Sequence, residues 1–250
     1  MQTLFISGAS RGIGKAIAKK LAKNDTKFVL TGRNRTHLEE VCNFITSNTS
    51  SKVFPLVFDV QDLKACKIAV DSIPEDFSDI DVLINNAGLA LELNTIDRGD
   101  FEDWEHMINT NIKGLLYLTR LLSPIMVTKK SGHIINIGSI SSREVYVGGN
   151  VYCATKHAVL ALSQGMRMDL LPHNIKVTHI SPGATETNFS VVRFHGDKMR
   201  ASKVYEGFTP LIADDIANIV EYVLSLPDHV CINEINITCT SQFNGIIYRK

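Results

Sequence analysis

Residues 142–159, SREVYVGGNVYCATKHAV, place two tyrosines and a lysine where acid–base chemistry is possible. Tyr152 and Lys156 stand four apart, and Tyr146 lies six residues before Tyr152, ahead of Gly148 and Gly149. A free phenol, with a pKa of about 10, is a poor base at neutral pH. Positions four apart share one helix face, so Lys156 can bring its charge toward the Tyr152 oxygen. A neighbouring cation favours phenolate and is expected to lower the phenol by about two or three pH units, where general-base catalysis is effective. Taken alone, the same pattern also fits an ordinary amphipathic helix, so the rest of the chain has to decide.

A second constellation lies near the start. GASRGIG (8–14) sits between the apolar run TLFIS (3–7) and a segment in which Ile13, Ile17, Ala18 and Leu21 fall on one helical face. Small residues there let the backbone pass close to a phosphate, and free amides at the helix start point toward the anion. Tight turns also use glycine for conformation alone, but a strand–turn–helix context is what a dinucleotide site requires. After the second strand-like run comes TGRNR (31–35), with no carboxylate before Glu39. An NAD-preferring site is expected to offer an acid there for the ribose hydroxyls. Arg33 and Arg11 instead suit a 2′-phosphate through charge-assisted hydrogen bonds, so NADP is expected over NAD. Asp59, ending the third run, suits either the adenine amino group or the cap of the following helix. NNAG (85–88) can tie neighbouring strand ends together and approach the cofactor ribose.

These motifs need elements to position them. Apolar runs rich in β-branched residues occur at 3–7, 27–31, 53–59, 80–86, 133–139, 175–181 and 232–238, with helix-like segments near 12–24, 35–47, 62–73, 101–127, 151–171 and 213–226. Such alternation with near-continuous apolar strands predicts one α/β domain over 1–250: a doubly wound Rossmann-type fold with a seven-stranded parallel sheet and helices on both faces. TSNTSS (46–51) reads as a surface loop. Residues 182–210 form an insertion of little periodicity, a candidate lid over a ligand at the strand ends, and 239–250 form a tail.

Composition excludes several classes. The 250 residues balance 26 basic against 26 acidic side chains and hold no dense basic run, which argues against nucleic acid as a partner. No apolar stretch reaches the roughly 18 residues needed to span a bilayer. The first strand-like residues begin at position 2, so no signal peptide is expected. Five cysteines without a CxxC pair read as reduced thiols of a cytoplasmic protein. With those cysteines and eight scattered histidines, no metal site is expected. Cys153, beside Tyr152, is expected to be an inert packed thiol.

GASRGIG, NNAG, NTNIKG (109–114), IINIGS (134–139), YCATK (152–156) and SPG (181–183) occur in the order and spacing of the short-chain dehydrogenase/reductase family, which the chain resembles from residue 3 to about 238. The resemblance implies a catalytic set of Tyr152, Lys156, Ser139 and Asn111, and matches Tyr146 to no catalytic position. Tyr152 is then the proton acceptor of an alcohol oxidation, Ser139 binds the substrate oxygen, and Asn111 is expected to hold a water linking Lys156 to solvent. The implied cofactor contacts are Gly8, Ser10, Arg11, Gly12, Ile13, Gly14, Arg33, Asp59, Val60, Asn86, Ala87, Gly88, Tyr152, Lys156, Pro182, Gly183, Thr185 and Thr187. The resemblance also implies a homotetramer, with the helices 101–127 and 151–171 at its interfaces.

NNAGLALEL, EDWEHMINTN, GGNVYCATK, VVRFHGD (191–197) and LPDHVCINEI look like the branch of that family comprising NADP-dependent 3-hydroxy acid dehydrogenases, acting on serine, allo-threonine and related acids. PGATETNFS (182–190) departs from that branch by lacking an extra glycine. A carboxylate substrate needs a cation, and the candidates are Arg193, Lys198, Arg200, Lys203 and Arg143, with Arg193 the best placed for a bidentate clamp. Tyr146 is expected to line the same pocket. The rival readings are an NADPH-dependent carbonyl reductase of ketones or keto esters without carboxylate recognition, and a non-catalytic NADP-binding regulator. The latter would be expected to lack Tyr152, Lys156 or Ser139, and all three are present.

Overall fold

Nine strands and ten α-helices alternate along the chain in a computed structural model that describes residues 2–23, 25–245 and 248–249. Residue 24, the last of the first predicted helix, and residues 246, 247 and 250 of the predicted tail lie outside the described residues, as does residue 1. The strands are β1 (Gln2–Ile6), β2 (Thr26–Gly32), β3 (Lys52–Val57), β4 (Val82–Asn85), β5 (Gly132–Ile137), β6 (Ile175–Pro182), β7 (Thr185–Glu186), β8 (Leu211–Ile212) and β9 (Glu234–Ile237). The helices are α1 (Gly12–Leu21), α2 (Arg35–Asn48), α3 (Leu63–Asp71), α4 (Glu75–Ser78), α5 (Phe101–Ile108), α6 (Leu115–Lys129), α7 (Asn150–Leu170), α8 (Phe189–Arg193), α9 (Lys198–Lys203) and α10 (Ala213–Leu224).

Seven strands form one parallel sheet in the order β3-β2-β1-β4-β5-β6-β9, the doubly wound arrangement expected. Apolar residues of the central strands point to both faces because both are covered. Leu4, Ile6, Phe28, Leu30 and Ile84 pack with Ile17 of α1, Leu38 of α2 and Val220 of α10. Phe5, Val29, Leu83, Ile134 and Val177 pack with Cys66 of α3, Leu118 of α6 and Val159 of α7 on the other face. The order of winding reverses between β1 and β4, and the crevice at their carboxyl ends is where such sheets bind ligands.

The structure differs from the expected elements in three places. The single helix expected at 101–127 is α5 and α6 joined by a π-helical turn, Asn109–Gly114. Hydrogen bonding continues through the turn, so apolar periodicity alone does not reveal it. Half of TSNTSS extends α2, because the Thr46 hydroxyl bonds the carbonyls of Cys42 and Asn43 and Asn48 bonds that of Phe44. Residues 182–210 are not aperiodic: they carry β7, α8 and α9, and β7 pairs with β8. These pieces are too short for a 3.6-residue period to register.

The middle of this insertion is pinned to the body. Glu92 N–H donates to Arg193 O at 2.8 Å, and Arg200 forms two bonds to the Glu92 carboxylate, 3.1 and 2.7 Å, while lying 4.2 Å over the Phe194 ring.

Candidate active site

The glycine turn leaves β1 through Gly8 and enters α1 at Gly12, with φ of +65° and +54°, values that non-glycine residues rarely adopt. A Cβ on Gly14 would overlap Gly8 O and Asn86 Nδ2, so α1 packs against the turn with no room for a side chain. Gly14 therefore stands behind the turn rather than on the cavity wall. Asn86 Nδ2 donates to Ser7 O (2.9 Å) and Gly8 O (3.1 Å), and Asn85 Nδ2 donates to Thr119 Oγ1 and Asn136 Oδ1. NNAG thus ties β1, β4 and β5 together, as its sequence suggests. No side chain caps the start of α1, which leaves its first amides for a ligand.

One cavity of about 590 Å³ runs from this turn to Tyr152. Its nucleotide end carries Gly8, Ser10, Arg11, Gly12, Ile13, Arg33, Asp59, Val60, Asn86, Ala87 and Gly88, and its other walls carry Pro182, Gly183, Thr185 and Thr187. Arg33 Nη1 lies 3.4 Å from Asp59 Oδ2, and Arg11 Nη2 lies 3.3 Å from His37 Nδ1. His37, on α2, was not legible as a neighbour of this corner, since nothing in a lone helical histidine marks it. Asp59 does not cap α3; Asp62 does, accepting from Lys64 N and Ala65 N. Asp59 instead braces Gln61 and Arg33 at the cavity rim. Uncapped amides, glycines at the closest approach and two arginines with no acid after β2 fit a phosphorylated dinucleotide, with Arg11 and Arg33 the residues to hold a 2′-phosphate.

At the far end α7 presents Tyr152 and Lys156, 8% and 6% exposed, on one face. Lys156 Nζ donates to Ile137 O at 3.1 Å and lies 5.9 Å from the Tyr152 ring centre. Burial pulls the Lys156 pKa down to about 8. Ser139, closing β5, accepts from Ser141 N at 3.1 Å and reaches the Tyr152 phenol. Among the protein's own groups, the surroundings of Tyr152 oppose the expected lowering of the phenol. Burial pushes Tyr152 well above the ordinary phenol range and Tyr146 adds to the rise, while Arg193 and the Ser139 hydrogen bond pull it back. Desolvation of an aromatic hydroxyl inside a packed wall outweighs the Arg193 cation beside it.

Asn111, expected to hold a water, has its side chain bonded within the protein. The π turn drives its side chain inward, where Nδ2 donates to Leu89 O (2.8 Å) and Thr155 Oγ1 (3.0 Å) and Oδ1 accepts from Leu89 N (2.9 Å). Both amide protons are committed to protein, so Asn111 anchors the loop after β4 against α7 instead of offering those protons to a water. Gly88 fits between this amide and the lysine: a Cβ there would lie 3.3 Å from Asn111 Oδ1 and 3.5 Å from Lys156 Nζ.

Tyr146 lies over Gly149, where a Cβ would strike its ring, and its hydroxyl accepts from Arg193 Nη2 at 3.0 Å. Burial raises its pKa, and Arg193 opposes the rise. The Arg193 guanidinium carbon is 5.2 Å from the ring centres of both Tyr152 and Phe189, and its buried Nε has no partner among the described residues. The other candidate cations are elsewhere. Arg143 pairs with Glu234, Arg200 with Glu92, and Lys198 and Lys203 are exposed on α9. Cys153 is fully buried, and burial raises its pKa, in keeping with an inert thiol. Among the described residues no histidine, cysteine or carboxylate cluster could hold a metal ion, and no helix is long and apolar enough to cross a membrane. Leu89, Phe189, Tyr205 and Gln242 also line the cavity. Leu89, Tyr205 and Gln242 come from loops and Phe189 opens the short α8, none of which a local pattern shows.

The chain matches the profile of the short chain dehydrogenases over residues 2–197. It is 41% identical over 251 aligned positions to a Schizosaccharomyces pombe protein named NADP-dependent 3-hydroxy acid dehydrogenase, covering 100% of this chain and 97% of the relative. A serine 3-dehydrogenase of Rhizobium radiobacter is 38% identical, with 99% and 98% covered. Among solved structures, the closed form of a serine dehydrogenase complexed with NADP+ superimposes with a TM-score of 0.92 at 37% identity, covering 100% of both chains.

Proposed function

Since the chain belongs to the short-chain dehydrogenase family, we propose that it is an NADP-dependent oxidoreductase acting on the hydroxyl of a short 3-hydroxy acid and, in reverse, on the corresponding carbonyl compound. The observation that carries the carboxylate part of this reading is Arg193, which lines the cavity beside the Tyr152 ring and whose buried Nε has no partner among the described residues. Nε and a terminal nitrogen form the fork that grips a carboxylate through two parallel bonds. The names of the relatives agree with that chemistry.

The turn 8–14, Arg11 and Arg33 would hold the phosphates of NADP, and Lys156 and Asn86 to Gly88 its nicotinamide half. When bound, NADP supplies the hydride acceptor in oxidation and the hydride donor in reduction. Ser139 fixes the substrate oxygen by a hydrogen bond, and Arg193 fixes the carboxylate, so the carbinol carbon has one orientation. Tyr152 takes the hydroxyl proton as the C–H bond gives up its hydride, leaving a carbonyl; in reduction Tyr152 returns the proton to the carbonyl oxygen. Lys156 keeps a cation beside the phenol through neutral pH.

A homotetramer in the cytoplasm is part of the same proposal. Leu116 on α6 and Met168 on α7 stay exposed, as faces awaiting a second copy would. A carbonyl reductase without acid recognition is the second reading, favoured by the apolar Leu89, Leu93, Phe189 and Val192 around the same end of the cavity.

Purified protein with NADP+ and L-serine, L-allo-threonine, 3-hydroxyisobutyrate or plain secondary alcohols separates the two. The hydroxy acids should be oxidised fastest, with malonate competing at millimolar concentration. Equal rates on the plain alcohols and no effect of malonate would discard the carboxylate clamp and retain the reductase.

A further inference from the structure

The catalytic ring has two cations beside it, and the nearer comes from the lid. The Arg193 guanidinium carbon is 5.2 Å from the Tyr152 ring centre, against 5.9 Å for the Lys156 ammonium. A cation over an aromatic face is attracted by the ring, and more strongly once that ring carries the charge of a phenolate. Arg193 is held in this position from several sides. Tyr146 OH accepts from its Nη2, Phe189 packs edge-on against Tyr152 at 5.8 Å, and Glu92 binds both the Arg193 carbonyl and Arg200.

We propose that Arg193 is a positioning residue for the proton-transfer step: α8 carries its cation onto the Tyr152 ring, where it stabilises the phenolate, so that full activation of the base requires the lid helix to be seated. The rings lie 5.2 Å from the guanidinium carbon while Nε keeps no partner among the described residues, so this role adds to substrate binding and does not compete with it. Arg193 also opposes the effect of burial on Tyr152.

The other groups facing Tyr152 do not supply the same charge. On α7 are Lys156, already counted, and the buried Cys153 thiol; on the preceding loop is Tyr146, whose hydroxyl is neutral at working pH; at the end of β5 is Ser139. Across a small space next to the ring are Glu92, Asp100 and Asp103, of which Glu92 is paired with Arg200, Asp103 contacts His195, and Asp100 caps α5.

The inference rests on the assignment of Tyr152 as the base, which Tyr152→Phe tests separately by loss of turnover. Its own test is the pH dependence of kcat/KM for oxidation of 3-hydroxyisobutyrate at saturating NADP+, a substrate with no amine to titrate in the same range. Activity rises with pH as the phenol ionises, so loss of a stabilising cation moves the rising limb to higher pH. Arg193→Met should move it up by about one pH unit, Arg193→Lys should restore part of that, and Arg200→Ala, which loosens α8, should move it in the same direction. A residue that served only as carboxylate clamp would lower kcat/KM by one factor at every pH, because the substrate carboxylate is ionised throughout. Limbs of Arg193→Met and Arg200→Ala that coincide with the unaltered protein would overturn the proposal. If the protein prefers a neutral ketone, the falling limb of its reduction by NADPH reports the same phenol and should move up in the same variants.

Discussion

Arg11 and Arg33 stand on the rim of the cavity with no carboxylate after β2 to favour an unphosphorylated ribose. Replacing both by alanine is expected to weaken NADP binding by roughly 10- to 100-fold, the worth of a charge-assisted bond or two, while NAD binding stays nearly unchanged. Fluorescence titration with each nucleotide checks this, and equal losses for both would place the arginines outside the phosphate site. Ser139→Ala should lower kcat/KM by about 100-fold, as for loss of one donor to a reacting oxygen, with nucleotide affinity retained. At this scale the residues proposed to react could be picked out because their types and spacing suggest the chemistry. What could not be read was their state. Tyr152 is raised by burial and Asn111 is spent on Leu89 and Thr155, and both facts depend on residues far away in the chain.

Among the elements, the turn from β1 into α1 is the most constrained. Gly14→Ala puts a Cβ against Gly8 O and Asn86 Nδ2, neither of which can swing away, since Asn86 is bonded to β1. A stability loss of about 1–3 kcal/mol is expected from such overpacking, together with weaker NADP binding, and thermal melts with and without nucleotide measure both. Unchanged melting would mean that the helix can retreat from the turn. Strand and helix alternation was readable here because buried parallel strands write long apolar runs. The π turn at Asn109–Gly114 and the short helices α8 and α9 were not. One keeps helical spacing through the defect; the others are shorter than the pattern that would reveal them. The site depends on these unread pieces, for the π turn aims Asn111 and α8 delivers Arg193.

For the whole molecule, two buried histidines couple stability to acid. His133 on β5 bonds the Thr178 hydroxyl on β6, and His179 lies beneath Gly138 with Nδ1 near Ser163 Oγ. Burial pulls their pKa values to about 3 and about 4, from an ordinary 6.5. The unfolded chain therefore binds these protons first, and stability is lost as the pH falls from about 6.5 through about 4. His179→Asn should flatten the slope of unfolding free energy against pH in that window, read from urea titrations, and equal slopes would show that the ring is solvated on demand. The parallel sheet and its two covered faces followed from the chain's alternating pattern, whereas the depth of these two rings needed the packed sheet. At the same scale, the cavity of about 590 Å³ joins the proposed nucleotide end to Tyr152, the group through which the substrate proton is proposed to pass. The most direct test compares the unaltered protein with Tyr152→Phe, following formation of reduced cofactor from NADP+ and 3-hydroxyisobutyrate while measuring NADP+ affinity in parallel. In Tyr152→Phe kcat should fall by about 10²- to 10⁴-fold, the contribution of a positioned general base, with nucleotide affinity essentially retained. Turnover by the phenylalanine variant at the original rate would contradict that role.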